Sequence, residues 1–309
     1  MLVGVVMLAG LGCGDEQAQT QSSTPSQSGQ PAPTPKPAPT ATSSQLSWAE
    51  VLEQNPDPKV VTDADFLKRI KATGLPWRVT HKSAGIEMLL VPPGTFMMGA
   101  SPGDTQASDD EKPAHEVTIT KAFYLGRTEV TQAQWFKVMD TNPSKFRGES
   151  LPVDSVSWND ISVFLKKTSG GLQLPTEAEW EYAYRAGTTT AFHSYAAQPN
   201  GFNDDTLLSN IAWINSNSGN QTHAVGGKFA NGLGLHDMAG NVWEWCQDWY
   251  GPYSSASVTN PTGPTTGSYR LCRGGSGGSS PTYCRGSQRN GYTPVTVVNG
   301  IGFRVVRTP

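Results

Sequence analysis

Between Gly232 and Tyr250 the chain reads GLGLHDMAGNVWEWCQDWY, with three tryptophans and a glutamate close behind an Ala-Gly-Asn turn. Trp243, Trp245 and Trp249 bring large apolar area, and their indole N–H groups need partners once buried. Glu244 stands between two of them, although a carboxylate is seldom buried without compensation. Two kinds of partner would supply it. One is a cation: the turn Ala239–Gly240–Asn241–Val242 can present backbone carbonyls beside the carboxylate, and hard cations such as calcium take such oxygens. The other is an arginine from elsewhere in the chain, which would make the stretch a tryptophan-rich core corner.

Other candidate chemistry is thinner. Asn210–Asn220, NIAWINSNSGN, is a second oxygen-rich run able to seat a cation. The histidines His81, His115, His193, His223 and His236 are scattered without zinc-type spacing, and His236 reads as a hydrogen-bonded core residue. Ser276 has no His–Asp set beside it, so a serine hydrolase finds no support. With Cys13 set aside as a lipidation site (below), Cys246, Cys272 and Cys284 remain, an odd number for an oxidising compartment. One pair and one buried thiol is the simplest arrangement. Because Cys272 sits in the strand-like run YRLCRGG, the expected disulfide is Cys246–Cys284.

The elements that must position these residues are short. Met88–Met98 predicts two strands around Pro92–Pro93, and Val117–Thr131 alternates as half-buried strands do. Thr131 opens a helix with Gln134 as its capping-box partner, and Trp135, Val138 and Met139 share its buried face. Ser157 opens a second, with Trp158, Ile161, Phe164 and Leu165 at helical spacing. Thr176 opens a third, boxed by Glu179 and stopped by Gly187. Glu177, Glu179 and Glu181 read as acids favoured by the dipole of its first turn.

Of 309 residues, 33 are Gly and 9 are Trp, while only 16% are charged, a profile of irregular, loop-rich folds. The net charge of -3 offers no footprint for nucleic acid or an anionic membrane. Residues 1–13 form a short apolar run, too short to span a bilayer, that ends at Cys13. Gly10 and Gly12 before Cys13 resemble a lipoprotein processing box, although Gly10 stands where such boxes carry leucine. Residues 14–45, rich in Gln, Ser, Thr, Pro and Ala, read as a disordered tether reaching about 30 Å as a coil and about 100 Å if fully extended as polyproline. Together they predict lipidation at Cys13 and a domain held off a membrane. Residues 46–75 carry two helical patterns, LSWAEVLEQN and TDADFLKRIKA, the second capped by Thr62, and read as a short helical preface. The main domain is expected over 76–309.

The stretch GLHDMAGNVWEWCQDWY resembles the signature of the formylglycine-generating enzyme, or sulfatase-modifying factor, family. So do VPPGTFMMG (91–99), RTEVTQAQW (127–135), PVDSVSWNDISVFL (152–165), LPTEAEWEYAYRAG (174–187), SNIAW (209–213), RGGS (273–276) and IGFRVV (301–306). The resemblance runs from about Ile86 to Arg307 and implies an α+β, C-type-lectin-like fold with little regular secondary structure. It also implies two calcium sites. One maps to Ala239, Gly240, Val242 and Glu244. The other maps to Asn210, Ile211, Asn217 and Gly219, with Asn217 where an aspartate is expected, so that site is short of charge. No histidine cluster resembles the iron site of the ergothioneine sulfoxide synthases that share this domain.

Family oxidases use two cysteines, five apart, shortly after Gly-Gly-Ser, to hold Cu(I) and oxidise a substrate cysteine. Counting from Ser276 without gaps, these positions fall on Ser279 and Cys284. A serine hydroxyl is a poor ligand for Cu(I), and CRGSQR around Cys284 resembles the run found in non-oxidase relatives. The expectation is a calcium-bearing, membrane-tethered binding or scaffolding lipoprotein of the cell envelope, as in gliding-motility lipoproteins of the same family. Its partner would be an envelope protein, peptide or glycan, without copper and without nucleic acid. The alternative is an oxidase converting a sulfatase cysteine to formylglycine.

Overall fold

Helix starts follow the capping chemistry written in the sequence. Thr131, Ser157 and Thr176 each accept the backbone N–H three residues on, and Gln134, Asp160 and Glu179 each reach back to the cap. They open α2 (Gln132–Met139), α3 (Trp158–Lys167) and α4 (Glu177–Arg185). The last ends one residue ahead of the expected stop, with Ala186 in the left-handed region (φ 45°) followed by Gly187 at 89°. Trp135 of α2 stacks on Phe164 of α3 at 5.3 Å, and Phe303 meets both edge-on, closing one lobe of the core.

The computed structural model describes residues 46–309; the leader, Cys13 and the tether lie outside the described residues. The first described element corrects the sequence reading. LSWAEVLEQN, expected as a helix, forms strand β1 (Ala49–Glu53), which pairs antiparallel with β2 (Arg78–His81). Val51 and Leu52, which supplied its helical spacing, face solvent, whereas Trp48 is buried on Tyr124 and under the Arg307 guanidinium. The second pattern does form a helix, α1 (Ala64–Ala72), but Asp63 caps it in place of Thr62, accepting the Phe66 N–H at 2.8 Å. Residues 46–75 are therefore part of the main fold, not a separate preface.

The remaining strands are β3 (Ile86–Val91), β4 (Gly94–Met98), β5 (His115–Ile119), β6 (Phe123–Gly126), β7 (Trp243–Trp249), β8 (Val258–Thr259), β9 (Arg270–Arg273), β10 (Asn290–Tyr292), β11 (Ile301–Gly302) and β12 (Val306–Arg307). They make three small sheets, ordered β1-β2-β3-β6-β12, β10-β9-β7-β11 and β4-β5-β8. The strands on either side of Pro92–Pro93 and within Val117–Thr131 are where the sequence puts them. Long irregular loops link α4 to β7, so the fold is α+β and loop-rich. Among the described residues no helix is long and apolar enough to cross a membrane.

Candidate functional site

Strand β7 carries the tryptophan-rich stretch into the middle of its sheet, with Glu244 opposite Arg273 on β9 and beside Gly302 on β11. Two residues past β11 comes Arg304. Its Nε and Nη2 donate to the two oxygens of Glu244, each at 2.6 Å, and Trp180 Nε1 donates to the same carboxylate at 2.7 Å. Arg304 also donates from Nη1 to the Gly126 carbonyl and from Nη2 to the His236 carbonyl, both at 3.0 Å. Of the two compensations open to Glu244, the structure contains the arginine. A calcium ion held by Ala239, Gly240, Val242 and Glu244 would have to share this carboxylate with the guanidinium.

The same corner holds two acids that the sequence reading passed over. Glu129 and Asp237 are buried, and one oxygen of each has no hydrogen-bond partner. Burial and the neighbouring carboxylates of Asp237 and Glu244 hold Glu129 well above the usual carboxylate range, and burial pushes Asp237 up to about 6. Three acids thus surround a single guanidinium. Asp237 sits inside the opening motif, and its place between apolar neighbours in LHDMAGN was the available signal.

The second calcium set is likewise turned to internal use. Asn210 Nδ2 donates to the Leu207 carbonyl (2.9 Å) and to Tyr195 Oη (3.2 Å). Asn217 Oδ1 accepts the Ile214 N–H at 2.8 Å while its Nδ2 donates to the Ala212 carbonyl at 2.9 Å, closing the turn over Ile211. An amide nitrogen on a carbonyl occupies the place where an aspartate would offer a second oxygen. A calcium ion held by Asn210, Ile211, Asn217 and Gly219 would have to compete with these bonds.

The turn before β7 has another task. Gly240 (φ 77°) crosses the Trp213 backbone so closely that a Cβ would lie 2.2 Å from the Trp213 carbonyl oxygen, so only glycine fits. Its N–H donates to the Gly274 carbonyl, and Gly277 N–H donates to the Asn241 carbonyl, both at 2.8 Å. These bonds fix the Gly-Gly-Ser loop as one wall of an open cleft of about 320 Å³. Asn220, Gln221, Thr222, Asn299 and the Lys145–Phe146 pair form the rest. Within it Ser276 Oγ and Ser279 Oγ lie 3.1 Å apart, and Ser279 Oγ accepts the Ser276 N–H. The lining is polar and contains no thiol.

Cys284 is not part of that wall. It is fully buried below Gly275, its sulfur directed to the Ser280 carbonyl at 3.9 Å, and burial pushes its thiol up to about 12. The expected Cys246–Cys284 disulfide does not form: Cys246, Cys272 and Cys284 are all free and buried. The sulfur of Cys246 turns to the Glu244 carbonyl at 3.9 Å, and burial, with the nearby Asp248 carboxylate, pushes its thiol well above the ordinary range.

Residues 61–309 match the model of the sulfatase-modifying factor enzyme 1-like domain. The chain belongs to this family. It is 29% identical over 275 residues to the formylglycine-generating enzyme of Streptomyces coelicolor, covering 69% of this chain and 87% of that one. It is 30% identical over 233 residues to the chaperone protein LppX of Paenibacillus barcinonensis, covering 60% and 80%. Among solved structures, Treponema denticola variable protein 1 superposes with a TM-score of 0.65 at 30% identity, covering 72% of this chain and 95% of that one.

In this sulfatase-modifying-factor-like chain the acids of α4 are not merely first-turn acids. Glu177 takes the Arg289 guanidinium in two bonds (2.7 and 3.0 Å), and Glu181 takes Arg185 (2.8 Å) and Arg273. Both are buried; only Glu179 serves as the capping acid. Arg285 pairs with Glu111 in two bonds of 2.7 Å. His236 does hydrogen-bond as expected, Nδ1 with the Lys228 carbonyl (2.9 Å) and Nε2 with Arg127 (3.2 Å).

Proposed function

We propose that this family member is a binding domain and not a copper-dependent oxidase. We propose further that it is displayed on a lipid-anchored tether at the cell envelope and takes an envelope peptide or glycan in the Ser276–Gly300 cleft. One observation carries the reading: Ser279 in the cleft offers a hydroxyl where the oxidases use a thiolate, and Cys284, at the second such position, is buried outside the cleft. Cu(I) wants soft sulfur ligands, and a neutral hydroxyl with a high pKa does not replace one. The lining of hydroxyl, carboxamide and glycine backbone groups suits hydrogen bonding to a neutral polar chain. That the relatives include a protein named as a chaperone alongside formylglycine-generating enzymes agrees with a family of more than one activity.

The test is mass spectrometry of a peptide carrying the sulfatase-type Cys-x-Pro-x-Arg motif, incubated with the protein, copper and oxygen. The expected result is an unchanged cysteine. Ser279→Cys is expected to add neither tight Cu(I) binding nor turnover, because Cys284 cannot reach the cleft as folded. Aldehyde formation by the unmodified protein would overturn the reading.

A further inference from the structure

A second cavity, of about 470 Å³, lies on the other side of β7, between the start of α4, β8 and the proline-rich loop Gly251–Pro264. Met98, Pro252, Tyr253, Val258, Pro261 and Pro264 give it apolar walls. On its floor is Asp248, only 3% exposed. Asp248 Oδ2 accepts the first N–H of α4, from Glu177, at 2.9 Å, and Gly263 closes over Oδ1, where a Cβ would come within 3.1 Å. Among the described residues no cation forms an ion pair with this carboxyl, although Arg270 lies near enough to feel its charge. Arg289, on the cavity wall, is committed to Glu177 and to the Asp110 carbonyl. Arg270 lies across Trp249 at 3.6 Å and donates to the Gln247 carbonyl. His115, also on the wall, has its Nδ1 at 3.2 Å from the Pro113 carbonyl, a donor contact that makes Nε2 an acceptor.

A buried acid without an ion-pair partner, at the end of an apolar-walled cavity whose remaining polar groups are the His115 ring and the hydroxyls of Ser254, Thr259 and Thr262, is a receptor for a donor that carries positive charge. We propose that this cavity binds a primary ammonium group, seated on Asp248 Oδ1. The site is independent of the serine-lined cleft and stands or falls without it. Lysine side chains of a peptide and amino sugars of a glycan share the chemistry, so the two sources must be separated by experiment. Burial, with the carboxylates of Glu177 and Glu179 nearby, pushes Asp248 up to about 7, so an arriving ammonium displaces a proton. Glu177, Glu179, His115, Cys246, Tyr253, Arg270 and Arg289 are the charged or titratable groups around it, and none of them forms an ion pair with it.

The test is calorimetry on the intact protein at pH 7 with N-acetyl-lysine methylamide and glucosamine as probes. N-acetyl-norleucine methylamide and glucose serve as partners lacking the ammonium. Binding by an ammonium probe over its partner is expected, with fractional proton release read from the heats in buffers of different ionisation enthalpy. The better of the two ammonium probes names the source. Asp248→Asn keeps an acceptor for the Glu177 N–H and should still fold, but should lose roughly ten- to hundredfold in affinity together with the proton release. Equal binding of norleucine and lysine amides, or of glucose and glucosamine, would make the cavity an apolar or polyol pocket and overturn the proposal. Unchanged affinity in Asp248→Asn would overturn it as well.

Discussion

Arg304 commits its hydrogens to Glu244 and two carbonyls, and Glu244 has no oxygen left over. Removing one member of such a buried pair strands the other, at a cost of about 3–5 kcal/mol. Arg304→Met and Glu244→Gln are each expected to lose that much in denaturant unfolding, and the double variant to recover part of it. Because the guanidinium already compensates the Glu244 charge, a chelator is expected to leave the melting temperature unchanged. A fall of several degrees would show that a cation displaces Arg304. Asp248 gives a separate signature. Its folded-state value, about 7, lies above the ordinary carboxylate value, so the folded protein holds a proton that the unfolded chain has released. The stability tied to that proton is complete below about pH 4 and is lost as pH rises through 7. Relative to wild type, Asp248→Asn should therefore gain stability between pH 4 and 7, about 3–4 kcal/mol, and level off above. A difference that does not vary with pH would mean that Asp248 is ionised throughout. Differences between the two proteins are the quantity to measure. His193 and His236, held below their ordinary range by burial, lose stability as pH falls and would mask the effect in a single curve.

At the scale of elements, what could be read from sequence was local. Capping boxes at Thr131, Ser157 and Thr176 need only residues three apart, and all three helices begin where those boxes put them. The strands flanking Pro92–Pro93 were legible for the same reason. What failed depended on partners far along the chain. Glu177 and Glu181 have the spacing of ordinary first-turn acids; Arg185 is a helical neighbour of Glu181, but Arg273 and Arg289 lie 92 and 112 residues away from the acids they pair with. Only the arginines of the Gly-rich segment 273–289, which must find carboxylates if buried, hinted at it. The β1 segment failed through tertiary override: its apolar spacing suits a helix, but the free edge of β2 and the pocket for Trp48 recruit it as a strand. In the candidate site, the cleft position of Ser279 followed from counting along the family motif. The arginine on Glu244 was one of two readings left open, and the burial of Cys284 below Gly275 was not visible in sequence at all.

At the scale of the whole molecule, the first and last strands share a sheet. β1 and β12 are its two edges, and Trp48 bridges back to Arg307. A chain beginning at residue 61, where the family match starts, would uncover the β2 edge and the Tyr124 face that Trp48 covers. Its melting temperature is expected to fall by several degrees against a chain beginning at Leu46, on the usual scale of losing about 2 kcal/mol or more from a buried aromatic. Equal melting would mean that β1 is ornamental. The same strand also sets how the domain answers a pull. Load drawn through the residues ahead of Leu46 arrives first at an outermost strand, whose hydrogen bonds run to one neighbour only. Tension would peel that strand from β2 and lift Trp48 from its seat while the other sheets, the serine cleft and the Asp248 cavity stay folded. Under such a load the edge strand would be a mechanical fuse, yielding before the cleft and the cavity and pairing with β2 again on release.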